Sequence, residues 1–477
     1  MFRYIEKIKR QDMLISACLA IVYIYSACSP IRPFGIWPGL LFGGSLVAFF
    51  YFFRKKIISK LTLPAALDIK VILLVGFVIR LLWVVFSDNT WVSDFARYDD
   101  MSMNILAGNY LSDREIPQGT SMVTAFFYWV FGVNRYAALL PVVLASVATI
   151  YLVYLVARKI FGDTTAIASA ILCCLCPEQI IYTNLVNSDI YFAFFVLAAF
   201  WSLLASPSRH LVMNILLAGA FLGMSQYVRS NSILFLLCAA LFIVLYNKKK
   251  SLTRALGLNL VLIATYLAVL SPLILFNYSN FKELTINSSR VFGWSFFLST
   301  NPVHNGKYND QDIQLWKERL EVSIRLPHED YTVFKYRVAK EMAKERLLAL
   351  PSRFIINCFK KPYLFLNDPA SFKWSLNGMN SAWVVAVMFG IGLVYHRVLL
   401  VLGAIAYCFM IRSSQDKKIR GFLFLTSSAI LLVTLSHFFL EIQTRYHYML
   451  MPYVIIGAAS YFRKSTGNTS QSVTNNP

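Results

Sequence analysis

Long apolar runs alternate with short polar or basic joints along most of the chain, and this alternation predicts helices that cross a membrane. Runs at about 12–28 and 37–53 are joined by a turn containing Pro30 and Pro33 and are followed by Arg54, Lys55 and Lys56. A third run, 69–87, comes next, while 119–132 is apolar but too short to cross comfortably and reads as a juxtamembrane or re-entrant helix ending at Gly132. Further runs lie near 134–157, 164–180, 183–204, 211–228, 231–246, 255–274, 382–411, 421–438 and 446–462. The long run at 382–411 is read as one crossing that His396 and Arg397 interrupt. The expected fold is an all-α polytopic membrane protein of about twelve helices, roughly 11–14, with juxtamembrane helices and a mixed external subdomain.

Two stretches break the apolar pattern. Trp91–Tyr110 is rich in carboxylates; as a helix it carries Arg97, Asp100 and Asn104 on one face, Asp94 on their flank, and Phe95, Tyr98, Met101, Ile105 and Leu106 opposite, with Gly108 as a stop. The second stretch, 277–380, mixes aromatic residues with charges of both signs, and is too long and too helix-like to be a linker. Within it, 354–366 is expected to lie flat on the membrane with Lys360 and Lys361 at headgroup level. The chain thus divides into an N-terminal hairpin and link (1–68), a transmembrane core (69–276) with a first external loop (88–133), an external subdomain (277–380), C-terminal spans (381–462) and a disordered tail (463–477).

Charge sets the expected sidedness. Basic clusters at Arg54–Lys56, Arg158–Lys159, Lys248–Lys250, Arg412–Arg420 and Arg463–Lys464 fall at alternate ends of the runs, as the positive-inside rule requires. The acidic loop 88–118, the tip PEQIIYTNLVNSD and the segment EIQTRYHY then face away from the cytosol. A net charge of +21 could suggest nucleic acid, but the basic residues form no stripe and no reader motif accompanies them, so nucleic acid is not an expected partner. With 57% hydrophobic and 14% charged residues and a mean hydropathy of +0.57, the soluble globular class is excluded. Most of the eight cysteines, Cys238 and Cys408 among them, lie inside apolar runs as packing residues. The basic start MFRYIEKIKRQDM leads into an apolar run with no small-residue cleavage site, and reads as a retained first span.

Candidate chemistry is confined to membrane boundaries. Asp94 reads equally as a helix cap beside Ser93 or as a functional carboxylate, and Asp99 and Asp100 as a solvated face. Asp189 stands at the outer lip of two spans, where a carboxylate is costly unless used or paired. Arg229 sits at a boundary with almost no loop around it and reads as a snorkelling anchor or an anion contact. Arg445 lies on the side opposite to that expected of a basic residue, which favours a phosphate contact. His437, Glu441 and His447 match no standard ligand spacing, and no metal or other cofactor is assigned. No Walker loop, dinucleotide fingerprint, nucleophile elbow or zinc-protease motif occurs.

The order of these features resembles the GT-C superfamily of integral-membrane glycosyltransferases, in its bacterial polyprenyl-phosphate-dependent branch, which includes lipid A aminoarabinose transferase and the protein O-mannosyltransferases. The likeness rests on Asp94, Arg97 and Tyr98 followed by Gly108 and Tyr110, with Phe95 where the family usually has a second acid. It continues through Ala157, Arg158, Phe161 and Gly162, then Pro177, Tyr182 and Ser188–Asp189, with aspartate in place of glutamate. Gly223–Arg229, Pro272 with Asn277 and Tyr278, Ser299–Tyr308, and Arg445, Tyr446 and Pro452 complete it. Phe276 stands where an arginine is common. The resemblance covers roughly 69–462.

It implies an inverting transfer of a sugar from a polyprenyl-phosphate donor to a glycan or glycolipid acceptor. Lipopolysaccharide or lipid A is the expected acceptor class, on the periplasmic side of a bacterial inner membrane, with membrane lipids around the enzyme and a donor-lipid synthase and flippase as functional partners. Asp94 would be the base; Arg97, Tyr98 and Asp100 would orient it or touch sugar, as would Asp189. Lys360, Lys361, Arg445 and Arg229 would hold phosphate, with Tyr446 alongside. One carboxylate suffices in such a reaction, because the leaving phosphate needs no proton. Two other readings stay open at this point: a lipid-linked sugar flippase or transporter, for which no internal repeat is evident, and an O-antigen polymerase or ligase using a lipid-diphosphate donor.

Overall fold

The computed structural model describes residues 24, 36–60, 68–110, 114–205, 210–247, 251–287, 289–366, 371–412 and 416–463. Most of the expected run at 12–28 and the tail beyond 463 lie outside the described residues. Among the described residues all regular structure is helical. Six helices are long and apolar enough to cross a membrane, and a bent pair makes a seventh. The expected figure of about twelve is therefore met only in part, because several expected spans are shorter apolar helices, such as Ser188–Leu204 and Ser232–Tyr246.

The chain begins with α1 (Ile36–Lys60) and α2 (Ile69–Phe86). The Asp68 carboxylate caps α2 by accepting from the Lys70 amide at 3.0 Å. The stripe Ile72, Gly76, Arg80 and Val84 is buried at four-residue spacing. Arg80, a fully buried cation inside a span, has its partners: Nε donates to Ser146 Oγ at 2.8 Å, and the terminal nitrogens donate to the carbonyls of Gly76, Cys174 and Cys173. Those last two carbonyls lie where the expected span 164–180 breaks, and the Cys173 carbonyl also accepts from the Cys176 amide at 3.4 Å. That span is α6 (Asp163–Cys174) followed, after a 55° bend, by α7 (Pro177–Ile181) and a 3₁₀ turn, Tyr182–Asn184. Pro177 has no N–H to continue the ladder, so Arg80 takes up acceptors that lipid cannot satisfy.

Before this break lie α3 (Asp94–Leu106), α4 (Gly119–Phe131) and α5 (Arg135–Phe161). The Asn134 side chain caps α5 at the Ala137 amide. Arg135 donates to the Ser87 and Asn89 carbonyls, which fixes the start of α5 beside the first loop; the helix then carries Arg158 and Lys159 about 35 Å away. After the break come α8 (Ser188–Ala205), α9 (Leu211–Val228), α10 (Ser232–Asn247) and α11 (Leu252–Phe281). Helices α9 and α11 touch backbone to backbone through two glycines four apart: a Cβ on Gly219 would lie 2.7 Å from the Leu262 carbonyl oxygen, and one on Gly223 2.7 Å from Val269 Cβ.

The polar stretch folds into α12 (Phe292–Ser299), α13 (Asp310–Val322), α14 (Tyr331–Ala349), α15 (Pro351–Leu366) and α16 (Ser371–Ser375). Phe297, Ala339 and Ala343 form a small core of their own with Trp294 and Trp316 packed on it. Buried Asp312 accepts from Asn301 at 2.8 Å and from Arg346 at 2.7 Å, tying the STNPVHNGKY turn to α13 and α14. Helix α17 (Ala382–Arg412) runs unbroken for 31 residues. His396 and Arg397 do not interrupt it; both are buried in the bundle, where neighbouring elements can serve them. Helix α18 (Lys417–Ser436) follows. The expected last span at 446–462 is a 3₁₀ segment, Thr444–Leu450, leading into a ten-residue buried helix, α19 (Met451–Ser460).

Candidate functional site

The acidic segment forms α3 over Asp94–Leu106, shorter than the expected 91–110, and Gly108, at φ +84°, ends the region as expected. Phe95, Tyr98 and Met101 are buried as the pattern predicts, but Leu106 is exposed and Ser102 takes the fourth inward position. Ser93 precedes the helix at φ 57°, a conformation that L-residues adopt only with strain, and its side chain makes no capping bond. The strained residue turns the first helical residue, Asp94, toward the interior. The loop leading there is pinned: the Trp91 indole donates to the Asn184 carbonyl at 2.9 Å and the Asn89 amide to the Trp374 carbonyl at 3.2 Å.

Asp94 forms an ion pair with Arg445, 351 residues away in sequence. The Arg445 guanidinium is buried between aromatic faces, with centroid distances of 5.2 Å to Phe95, 5.5 Å to Tyr446 and 6.0 Å to Trp374. A second pair stands beside it. Arg229, which caps the C-terminus of α9, binds Asp189 in the first turn of α8 and lies 5.0 Å over the Tyr446 ring. Asp189 is buried and also accepts from the Tyr182 hydroxyl at 2.8 Å. Both guanidinium groups, each paired with a carboxylate, thus lie against the Tyr446 ring.

Burial pushes the Asp94 carboxyl up, but the Arg445 charge and hydrogen bond, helped by Arg97 and Arg229, outweigh it and hold the group below the usual carboxylate range. Nearby Glu441 goes the other way: burial raises it, the Asp94 charge adds to this, and Gln443 and Arg445 offset it only in part. The Tyr98 hydroxyl is pushed up to about 12, chiefly by burial and then by the Asp94 charge.

These groups line one cleft of about 580 Å³. Of the residues singled out from sequence, Asp94, Tyr98, Asp189, Arg229, Arg445 and Tyr446 meet there. Arg97 is turned aside and pairs with Glu115 at 2.6 Å. Asp100 and Lys360 are exposed and do not line the cleft. Lys361 is buried: its ammonium donates to the Phe438 carbonyl at 2.8 Å, and burial lowers it to about 8. Glu115, Ser188, Asn287 and Glu441 also line the cleft. Sequence pattern gave no sign of Glu115 or Asn287, since each lies in an irregular loop without periodicity. On one side the wall is apolar: Ile233, Phe292 and Phe439 line it and are 46%, 56% and 52% exposed. The His437 ring nitrogen is bonded to the Val433 carbonyl and its ring packs on Phe365.

Comparison with known proteins bears on this arrangement. Residues 117–276, a stretch of 160 in 477, match the sequence family described as dolichyl-phosphate-mannose-protein mannosyltransferase. The "Putative mannosyltransferase YkcB" of Bacillus subtilis (strain 168) is 28% identical over 179 residues, which are 37% of this chain and 25% of that protein, so the chain matches only a quarter of its relative's length. Among solved structures, ArnT of Cupriavidus metallidurans bound to undecaprenyl phosphate aligns over 82% of this chain and 77% of that one at 16% identity, with a TM-score of 0.41. The oligosaccharyltransferase AglB of Archaeoglobus fulgidus, in complex with an inhibitory peptide and a dolichol-phosphate, aligns over 82% and 50% at 13% identity, with a TM-score of 0.46. These overlays are too loose to carry an argument by themselves. The family match includes Asp189 and Arg229 and leaves Asp94 and Arg445 outside it. The sequence matches support the resemblance drawn from the motifs: the chain is similar to the GT-C membrane glycosyltransferases, with the family match lying over residues 117–276.

Proposed function

We propose that the chain is a membrane glycosyltransferase that moves a sugar from a polyprenyl-phosphate donor to a glycan or glycolipid acceptor, of the lipopolysaccharide or lipid A class, with inversion at the anomeric carbon. The observation that carries this reading is a single cleft in which two arginines, each paired with a carboxylate, stand beside an open apolar wall. An isoprenoid tail suits that wall, and its phosphate suits guanidinium groups at the same depth. The family match, described by a dolichyl-phosphate-mannose donor, supports the same class of donor.

Arg445 and Asp94 satisfy each other before substrate arrives. A donor phosphate that draws Arg445 to itself removes the main influence holding the Asp94 carboxyl low, and burial then makes it a stronger base. Donor binding thereby prepares the group that accepts the acceptor hydroxyl proton as that oxygen attacks the anomeric carbon and the lipid phosphate departs. Asp189 holds Arg229 in place and contacts sugar, Tyr98 and Tyr446 line the sugar subsite, and Arg97, Asp100, Lys360 and Lys361 act from outside the cleft. The site faces the periplasm in this reading, with a synthase and a flippase supplying donor. The test is direct: purified protein in nanodiscs, given a polyprenyl-phosphate sugar and acceptor, releases polyprenyl phosphate detectable by mass spectrometry. A lipid-diphosphate donor consumed in its place would refute the donor class.

A further inference from the structure

Three buried side chains outside the cleft converge where the bundle is broken. Glu178 is in α7, behind the Pro177 break; His396 is midway along α17; His447 is two residues beyond Arg445 in the 3₁₀ segment. They are 2%, 2% and 0% exposed, and one ligand atom from each lies within 4.8 Å of the others.

The ring tautomers follow from backbone partners. His447 Nδ1 is 2.9 Å from the Phe365 carbonyl oxygen, and His396 Nε2 is 2.9 Å from that of Leu366. A carbonyl oxygen only accepts, so each of these nitrogens carries a proton and the other nitrogen of each neutral ring presents a lone pair. Both lone pairs turn to the same carboxylate. His447 Nε2 is 3.1 Å from a Glu178 oxygen; His396 Nδ1 is 4.0 Å from one and has no hydrogen-bond partner. Three acceptors thus converge in a buried space. A single shared proton bridges His447 to Glu178 and leaves His396 Nδ1 unserved; a cation serves all three.

We infer that Glu178, His396 and His447 form a zinc site in which these three side chains supply the protein ligands and a water molecule takes the fourth position. Two imidazoles and a carboxylate are an established ligand set for Zn²⁺, and imidazoles that donate their far N–H to backbone carbonyls have the outer-shell arrangement such ligands show. Bonds of about 2.0–2.2 Å in a tetrahedron require ligand atoms roughly 3.4 Å apart. The Glu178–His447 separation is already there, and the His396 ring has to close by little more than a bond length. A metal here would cross-link α7, α17 and the segment that carries Arg445 and Tyr446. Tyr448, which donates to Gln179 Oε1 at 2.8 Å, already joins two of these three elements.

The test is metal analysis of the full-length, tag-free protein, produced with zinc supplied, purified without metal resin and dialysed against EDTA. About one zinc per chain is expected to survive, with X-ray absorption showing nitrogen and oxygen ligands that include imidazole. His396→Gln retains a donor for the Leu366 carbonyl and His447→Asn one for the Phe365 carbonyl, while each removes a ligand. Both are expected to lose at least about tenfold in zinc content, with monodispersity on gel filtration showing that the fold survives. A parent protein free of stoichiometric zinc, sulfur in the coordination sphere, or variants that load as the parent does would each overturn the assignment.

Discussion

Replacing Asp94 by asparagine separates the two roles proposed for this residue, proton acceptor and partner of Arg445. The variant keeps the size and one oxygen of the side chain, but cannot accept a proton and no longer neutralises Arg445. A positioned general base contributes about 10²–10⁴-fold in rate, or roughly 3–5.5 kcal/mol of barrier. Turnover is therefore expected to fall by that factor. Donor affinity is expected to hold or increase, because the phosphate no longer competes with a carboxylate for Arg445. Single-turnover release of polyprenyl phosphate in nanodiscs measures the first quantity, and donor lipid retained through purification measures the second. Turnover within about tenfold of the parent would falsify the base assignment. A drop in both quantities together would refute the exchange of Arg445 between carboxylate and phosphate.

Arg445→Gln removes the largest influence opposing the burial of Asp94 and leaves only Arg97 and Arg229 against it, so the acid limb of the rate profile is expected to move to higher pH; a limb that stays put contradicts the pairing. The sign also holds for stability: the depressed carboxyl contributes above its ordinary range, and that contribution fades as pH falls through its lowered value, a dependence Arg445→Gln weakens. Asp189→Asn strands the buried Arg229 cation and is expected to cost about 3–5 kcal/mol, seen as a lower melting temperature, while adding Arg229→Gln recovers part of the loss; strictly additive effects would argue against the pair. Gly293→Ala places a methyl 1.9 Å from the Tyr336 carbonyl oxygen, so α12 and α14 must part at about 1–3 kcal/mol; an unchanged melting curve contradicts that packing.

Much of the architecture was legible from hydropathy, because an apolar run inside lipid must be helical to satisfy its own backbone. The runs at 69–87, 134–157, 211–228 and 382–411 emerge as α2, α5, α9 and α17. Hydropathy misjudged 164–180 and 446–462, where the residues are apolar but Pro177 breaks the first and a 3₁₀ segment opens the second. Apolarity reports burial, not helical continuity. The site divides in the same way. Asp94, Asp189, Arg229 and Arg445 were visible because charges at membrane boundaries are costly, yet which carboxylate pairs with which arginine depends on contacts 40 and 351 residues apart. Lys361 misled for a related reason: an amphipathic helix predicts that its cations are wet, whereas α15 presses this one onto the Phe438 carbonyl.

With the lipid donor proposed above, the greasy flank formed by Ile233, Phe292 and Phe439 would serve the cleft as a side door as well as a wall. A long-tailed substrate using that door arrives by sliding within a two-dimensional fluid, so the quantity that sets its occupancy is its mole fraction among neighbouring lipids, and stirring it into more water changes nothing. Any amphiphile with an acyl chain, detergent included, contends for the same threshold.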